Sequence, residues 1–185
     1  MRCLFLLWFS CAALAPNVAA SQEVVSRSVT APKAVVAEHQ RVVQRFECGD
    51  RKAAYYPKYS TWHSIDLDRD NVPELVAFFS IEGFGGGNNW VRYVASYRQA
   101  ESGYAFVSGG VIGGKGSLSD NPARITLRGN TLRIPAMAMT DKDPMCCPSK
   151  KTEIVLDVDS SGRLSADSKR NDGVLSWAAA LGDRC

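Results

Sequence analysis

From residue 55 to residue 158 turn-forming residues cut the chain into short β-rich runs, and few folds accept such a pattern. The runs cover 55–65, 74–81, 90–98, 104–111, 124–127, 131–139 and 152–158. Glu101-Ser102-Gly103 makes a hairpin turn into the run 104–111, Gly129-Asn130 separates two further runs, and Ser161-Gly162 ends the last. β-branched and aromatic residues suit a pleated, half-buried surface, while Gly and Asn take the backbone angles that reverse it. Regularly spaced short strands of this kind predict a mainly β fold, an antiparallel sandwich or a barrel-like sheet. The stretch 171–181 fits either a short helix, with Val174, Leu175, Trp177 and Leu181 inward, or a final strand.

One segment ahead of the runs has a different period. Val35, Val42, Val43 and Phe46 recur at helical spacing over 30–46. Thr30 is placed to cap the start, Pro32 is tolerated in the first turn, and Gly49 ends the helix after Cys48. His39 lies on the same apolar stripe and is expected to be a packed, hydrogen-bonded histidine at the edge of the core.

The 185 residues amount to one domain with enough chain to bury a core, and 45% hydrophobic with 22% charged residues fits an ordinary globular fold. A net charge of +3, evenly spread, argues against a nucleic-acid partner. The two histidines, His39 and His63, leave little for histidine-dependent catalysis. His63 is the sole candidate base beside the acidic segment described below, with no recognisable oxyanion hole or partner, so the chain is not expected to be an enzyme.

Residues 1–20 have the layout of an export signal: Arg2 supplies the positive start, 3–14 are almost wholly apolar, and Val18-Ala19-Ala20 offers small residues for cleavage after Ala20. The apolar stretch is too short to span a bilayer, and Trp8-Phe9-Ser10 ahead of Cys11 does not suit a lipidation site. The expectation is a periplasmic or secreted chain without stable membrane insertion: a flexible mature N-terminus over 21–29, then one domain over 30–185. Removing Cys3 and Cys11 with the signal leaves Cys48, Cys146, Cys147 and Cys185. In an oxidising compartment four cysteines read as two disulfides. Adjacent Cα atoms lie ~3.8 Å apart whereas ordinary bridges want ~4.4–6.8 Å. Cys146 and Cys147 are therefore expected to reach different partners, one Cys48 and the other Cys185. A four-cysteine zinc site is disfavoured by the lack of any C-x-x-C spacing.

The segment with the clearest chemistry is Asp66-Leu67-Asp68-Arg69-Asp70-Asn71-Val72-Pro73-Glu74. Carboxylates at relative positions 1, 3, 5 and 9, with the Val72 carbonyl at position 7, can curl so that hard oxygens converge on one Ca²⁺. Asn71 stands where the loop must turn sharply, and Asn tolerates left-handed backbone angles better than most residues. Carboxylates packed this closely repel one another and call for a counter-ion. Ala77 stands where an EF-hand would need its bidentate Glu, and the flanks read as strands. The nine residues are instead similar to the strand–loop–strand calcium loops of FG-GAP and related repeat proteins, D-x-D-x-D-G-x-x-D/E, which carry many copies where this chain has one. The resemblance implies a structural calcium held by Asp66, Asp68, Asp70, Val72 and Glu74.

Two glycine-rich stretches follow. Residues 82–89 lack the Gly-Lys-Ser/Thr and the helix of a phosphate loop, and read as a surface loop carrying an exposed Phe84. Residues 108–117 read as a thin connection presenting Lys115, a cation able to enter an acidic cleft. Asp143-Pro144-Met145-Cys146-Cys147-Pro148-Ser149 resembles a segment of mycobacterial lipoproteins of the LppP/LprE type. The prolines make it rigid and extended, suited to two disulfides; a redox-active pair is not expected, because no dipeptide separates the cysteines.

Export signal, disulfides, one calcium loop and a helix followed by antiparallel strands together resemble the calcium-binding periplasmic immunity proteins of Xanthomonas-type bacterial-killing secretion systems, which are similar to invertebrate-type lysozyme inhibitors. Ser102-Gly103-Tyr104 and Lys115-Gly116 are also similar to the S-G-x-x-Y and K-G patterns of bacterial C-type lysozyme inhibitors, at a different spacing. That resemblance implies a protein partner, a lysozyme-like hydrolase, met by Ser102, Tyr104 and Lys115, and the exposed aromatic expected at Phe84 is a further candidate contact. Glycosidase clefts carry paired carboxylates, which gives an exposed lysine a reason to bind. The other reading is a structural or adhesive envelope protein.

Overall fold

The run Leu75-Val76-Ala77-Phe78-Phe79-Ser80-Ile81 has no polar side, and its position explains why. In the computed structural model, which describes residues 23–47, 50–115, 118–122 and 124–166, this strand is covered on both faces. It is β5 (Glu74–Glu82), the middle of a sheet ordered β2 (Arg27–Val29), β4 (Thr61–Ile65), β5, β6 (Trp90–Ala100) and β7 (Gly103–Gly114), with β3 (Ala54–Tyr55) pairing beside β4 on β5. Leu75, Ala77, Phe79 and Ile81 pack toward helix α1 (Lys33–Phe46), where Val35, Val42, Val43 and Phe46 meet them. Val76 and Phe78 point the other way, into a second sheet.

That sheet runs β1 (Val24–Val25), β9 (Thr126–Arg128), β10 (Thr131–Ala138), β11 (Lys150–Val158) and β12 (Leu164–Ala166), with β8 (Leu118–Asp120) also on β10. All pairings in both sheets are antiparallel. Here the sequence alternates: Leu132, Ile134 and Ala136 of β10, with Ile154, Leu156 and Val158 of β11, face the other sheet, and the residues between them face outward. The fold is thus mainly β, as the turn spacing predicts: an open antiparallel sandwich with one helix, among the described residues, laid on the far face of one sheet. Full burial of each Leu, Ile or Phe side chain stabilises such a core by about 1.5–3 kcal/mol.

Several expectations need correction. Residues 23–29 are not a linker: Val24 and Val25 pair with Leu127 and Thr126, and after Ser26 the chain crosses so that Arg27–Val29 pair with β4. Pairing an edge strand needs backbone groups, not apolar side chains, so a polar stretch can do it unseen by periodicity. The run 55–65 is split by a 3₁₀ turn over Pro57–Tyr59, where proline has no N–H to give a ladder. The helix begins at Lys33 after Pro32, with no side-chain cap, rather than at Thr30. The glycine-rich stretch from 108 is not a thin connection, since β7 runs through to Gly114. At Gly109 a Cβ would sit 2.7 Å from the Val94 carbonyl oxygen, so only glycine lets β7 approach β6 so closely. A register shift at Ser96/Tyr97 reverses the alternation of β7, so that Tyr104 and Phe106 on one side of it and Val111 on the other all face the helix, while Ile112 faces the second sheet.

The predicted disulfide pattern is also revised. The sulfurs of Cys146 and Cys147 lie at disulfide distance from each other, across Cα atoms 3.8 Å apart. Local chain geometry keeps these two together, and they are the only cysteines among the described residues. Cys48, Cys185, the export signal, Gly49 and the stretch 171–181 fall outside the described residues. Among the described residues no helix is long and apolar enough to cross a membrane.

Candidate functional site

The acidic segment connects β4 to β5 at one end of the central sheet. Ile65 pairs with Glu74, so the loop leaves and re-enters the same ladder. Arg69 (φ 65°) and Asn71 (φ 70°) both take left-handed backbone angles. Asn71 was placed there by its chemistry, whereas a left-handed arginine is costly unless its surroundings hold it. Two such turns in three residues fold the loop back on itself. One carboxylate oxygen from each of Asp66, Asp68 and Glu74 then lies within 4.8 Å of the others.

Each carboxylate is held differently. Glu74 is buried, and its Oε2 accepts the Leu67 N–H at 2.9 Å. Burial pushes its carboxyl above the ordinary range, the Leu67 N–H opposes this, and the nearby Asp68 charge adds to the rise. Asp66 Oδ2 accepts the Asn71 N–H at 3.0 Å, while its Oδ1 is buried with no hydrogen-bond partner. Asp68 Oδ1 accepts the Asp70 N–H at 3.3 Å. Asp70, expected among the ligands, instead accepts the Val72 N–H at 2.7 Å and is exposed, and the Val72 side chain also faces solvent. The structure therefore brings three of the five predicted ligand residues together through their side chains.

Sequence reading missed Arg98. From β6 it donates Nη2 to Asp68 Oδ2 at 2.5 Å, Nε to Glu74 Oε1 at 3.3 Å, and Nη2 also to the Ser161 carbonyl at 2.6 Å. Nothing in the local spacing announces an arginine more than twenty residues downstream; only the β5–β6 pairing delivers it. Gly162 (φ +68°) completes the surround, and a Cβ there would lie 3.3 Å from Arg98 Nη2. Arg69 turns elsewhere, donating to the Gly129 carbonyl at 2.9 Å. Three carboxyl groups here share one guanidinium, and Asp66 Oδ1 supplies an oxygen without a donor.

The residues expected to meet a protein partner do not share one surface. Ser102 is exposed in the β6–β7 turn and Lys115 follows the other end of β7, a strand of 12 residues, so about 40 Å separates them at ~3.3 Å per residue. Tyr104 is half-buried near Ser102, against the helix-facing cluster. Phe84 is not the exposed aromatic expected, since it also packs on that cluster. Lys115 Nζ donates to Asn88 Oδ1 of the neighbouring loop.

His39 fulfils its expectation: buried, Nδ1 2.6 Å from the Tyr97 hydroxyl and Nε2 3.0 Å from that of Tyr55, ringed by Trp62 and Phe79. Burial lowers its pKa to about 4. His63 is buried too, its Nδ1 3.2 Å from Ser26 Oγ at the chain crossing between the sheets, and burial likewise lowers its pKa.

The outer face of the β1–β12 sheet carries a hollow of about 250 Å³ between Glu23, Arg124, Thr126, Arg128, Arg133 and Glu153. Arg128 pairs with Glu23 at 2.7 Å and Arg133 with Glu153 at 2.8 Å. The Nε of Arg133 is buried without an acceptor. Comparison of the chain with family models, with curated proteins and with solved structures finds no match in any of the three.

Proposed function

We propose that this chain is a secreted or periplasmic binding protein whose 66–74 loop is fixed by calcium, and that its target is a peptidoglycan-degrading enzyme. The observation that carries the metal reading is the meeting of Asp66, Asp68 and Glu74 oxygens within 4.8 Å around an Asp66 Oδ1 that has no donor. Asp66, Asp68 and Glu74 would hold the ion, with Asp70 and the Val72 carbonyl as the further oxygens that Ca²⁺ favours. The ion locks a loop and takes no part in a reaction. Arg98 balances part of the charge and ties the loop to the β11–β12 turn.

Calcium at about 100 times its Kd should raise the Tm of the mature protein by roughly 5–10 °C over an EGTA-treated sample. An unmoved Tm overturns the metal reading. Arg98→Ala should cost about 2 kcal/mol in EGTA, below the ~3–5 kcal/mol of a fully buried pair because Arg98 is 38% exposed. In calcium the loss should shrink; a loss equal in both conditions means that the arginine alone fixes the loop. The target reading rests on the export signal and the resemblance of the loop and layout to immunity and inhibitor proteins. Stoichiometric slowing of peptidoglycan hydrolysis across a panel of lysozymes tests it, with Lys115→Ala weakening the effect.

A second reading, an adhesive envelope protein, is favoured by the arginine-lined hollow. Arg124 is exposed there and Arg133 Nε lacks an acceptor, so an acidic polymer is the matching ligand. Co-sedimentation with purified envelope material, abolished in Arg124→Ala, together with no slowing of any lysozyme in the panel, would select it.

A further inference from the structure

We propose that Cys146–Cys147 is a thiol–disulfide exchange site, opened by an external dithiol without loss of the fold. Three observations on the 139–150 segment lead there. First, the bridge joins neighbours, with Cα atoms 3.8 Å apart. It closes the shortest possible loop, so it restrains almost nothing of the unfolded chain and cannot act as a staple. Second, both cysteines are exposed, as is Met145 beside them at 67%. An attacking thiolate therefore reaches either sulfur without the protein opening. Third, the loop is held by a brace that does not include the bridge. Asp143 Oδ2 accepts the N–H groups of Thr140 at 2.8 Å and Ser149 at 3.0 Å, and its Oδ1 accepts the Ser149 hydroxyl at 2.7 Å. The Asp143 N–H donates to the Thr140 carbonyl, and the Cys147 N–H to that of Pro144. None of these hydrogen bonds uses a cysteine side chain, so breaking the bridge leaves the brace in place.

The exchange balances in two steps. A thiolate of the external dithiol attacks one of the two sulfurs, forming a mixed disulfide and releasing the other cysteine as thiolate. The second thiol of the reagent then displaces the attached cysteine, so the reagent leaves as a cyclic disulfide. The protein keeps two thiols, having gained two electrons and two protons. Reoxidation reverses the sequence. This role replaces the stapling expected of these cysteines from their even number, and it reverses the expectation that an adjacent pair is not redox-active.

The test uses the oxidised mature protein, with dithiothreitol as the dithiol. Trypsin cuts after Lys142 and Lys150, isolating both cysteines in one peptide. Without reductant that peptide should be lighter than its dithiol form by two hydrogen atoms and take no alkyl group. After brief dithiothreitol treatment under native conditions it should carry two alkyl groups, while Tm changes by less than about 2 °C. Oxidised glutathione should then restore the lighter peptide. In Cys146→Ser the remaining Cys147 should form a mixed disulfide with glutathione, at a Tm within about 2 °C of the parent. A peptide alkylated before reduction, a peptide linked to another cysteine, reduction that proceeds only on unfolding, or a Cys146→Ser variant that fails to fold each overturns the proposal.

Discussion

A buried imidazole between two tyrosine hydroxyls has one proton to give and one lone pair to offer, so in neutral His39 one hydroxyl must donate and the other accept. Protonation would turn both ring nitrogens into donors and place a charge among Trp62, Phe79, Tyr55 and Tyr97. The folded-state pKa of about 4 lies below the unfolded value near 6.5, so the unfolded chain binds the proton first as pH falls. The stability due to neutral His39 is complete above ~6.5 and is lost progressively down to ~4. Denaturant titrations at pH 7.5 and pH 4 should differ by roughly 3 kcal/mol from this group, with acidic side chains adding their own pH dependence. His39→Phe should flatten that part of the slope while costing about 1–3 kcal/mol at pH 7.5, because the Tyr97 hydroxyl then lacks its partner. A slope that survives His39→Phe unchanged would assign the effect elsewhere, with His63 next, since its pKa is lowered for the same reason.

Among the elements, the β6–β7 hairpin is governed by what its glycines permit. With the Val94 carbonyl oxygen 2.7 Å from where a Cβ would stand and Ala95 Cα at 3.2 Å, Gly109→Ala must push β7 off β6. A loss of about 2 kcal/mol or more is expected in chemical unfolding, since the obstacle is backbone and cannot swing aside. Gly129→Ala makes a useful contrast: nothing lies within 4 Å, and its φ of +54° should cost only about 1 kcal/mol. Equal losses at the two positions would show that the close approach has no energetic weight. The strands themselves were largely legible, because β5, β6, β10 and β11 carry strong apolar patterns. The missed ones, β1, β2, β8 and β12, are two or three residues long, and their pairing rests on backbone hydrogen bonds that leave no periodicity.

For the whole molecule, the layering sets which parts hold longest. β5 is covered by the helix on one face and by the other sheet on the opposite face, whereas β2 and β12 end their sheets. Amide exchange should therefore be slowest in β5 and the facing part of β6, and fastest in β2 and β12. Phe79→Ala, which removes a ring between Phe46, Tyr93 and His39, should cost about 3–5 kcal/mol. Arg128→Ala, on the outer face, should stay within about 0.5 kcal/mol. A uniform exchange pattern, or similar losses for the two substitutions, would contradict the layered order.

The sequence by itself determined the classes of element and the acidic loop. Side-chain alternation, turn residues and carboxylate spacing are local properties, and local properties survive without knowing what the chain packs against. His39 was legible for the same reason, as a polar member of an apolar stripe. Only the tertiary structure decided what lies across from what: Arg98 reaching Asp68 and Glu74 from β6, residues 23–29 crossing between the sheets, Ser102 and Lys115 held a strand length apart. Those are contacts between distant segments, fixed by register and by which faces could be buried.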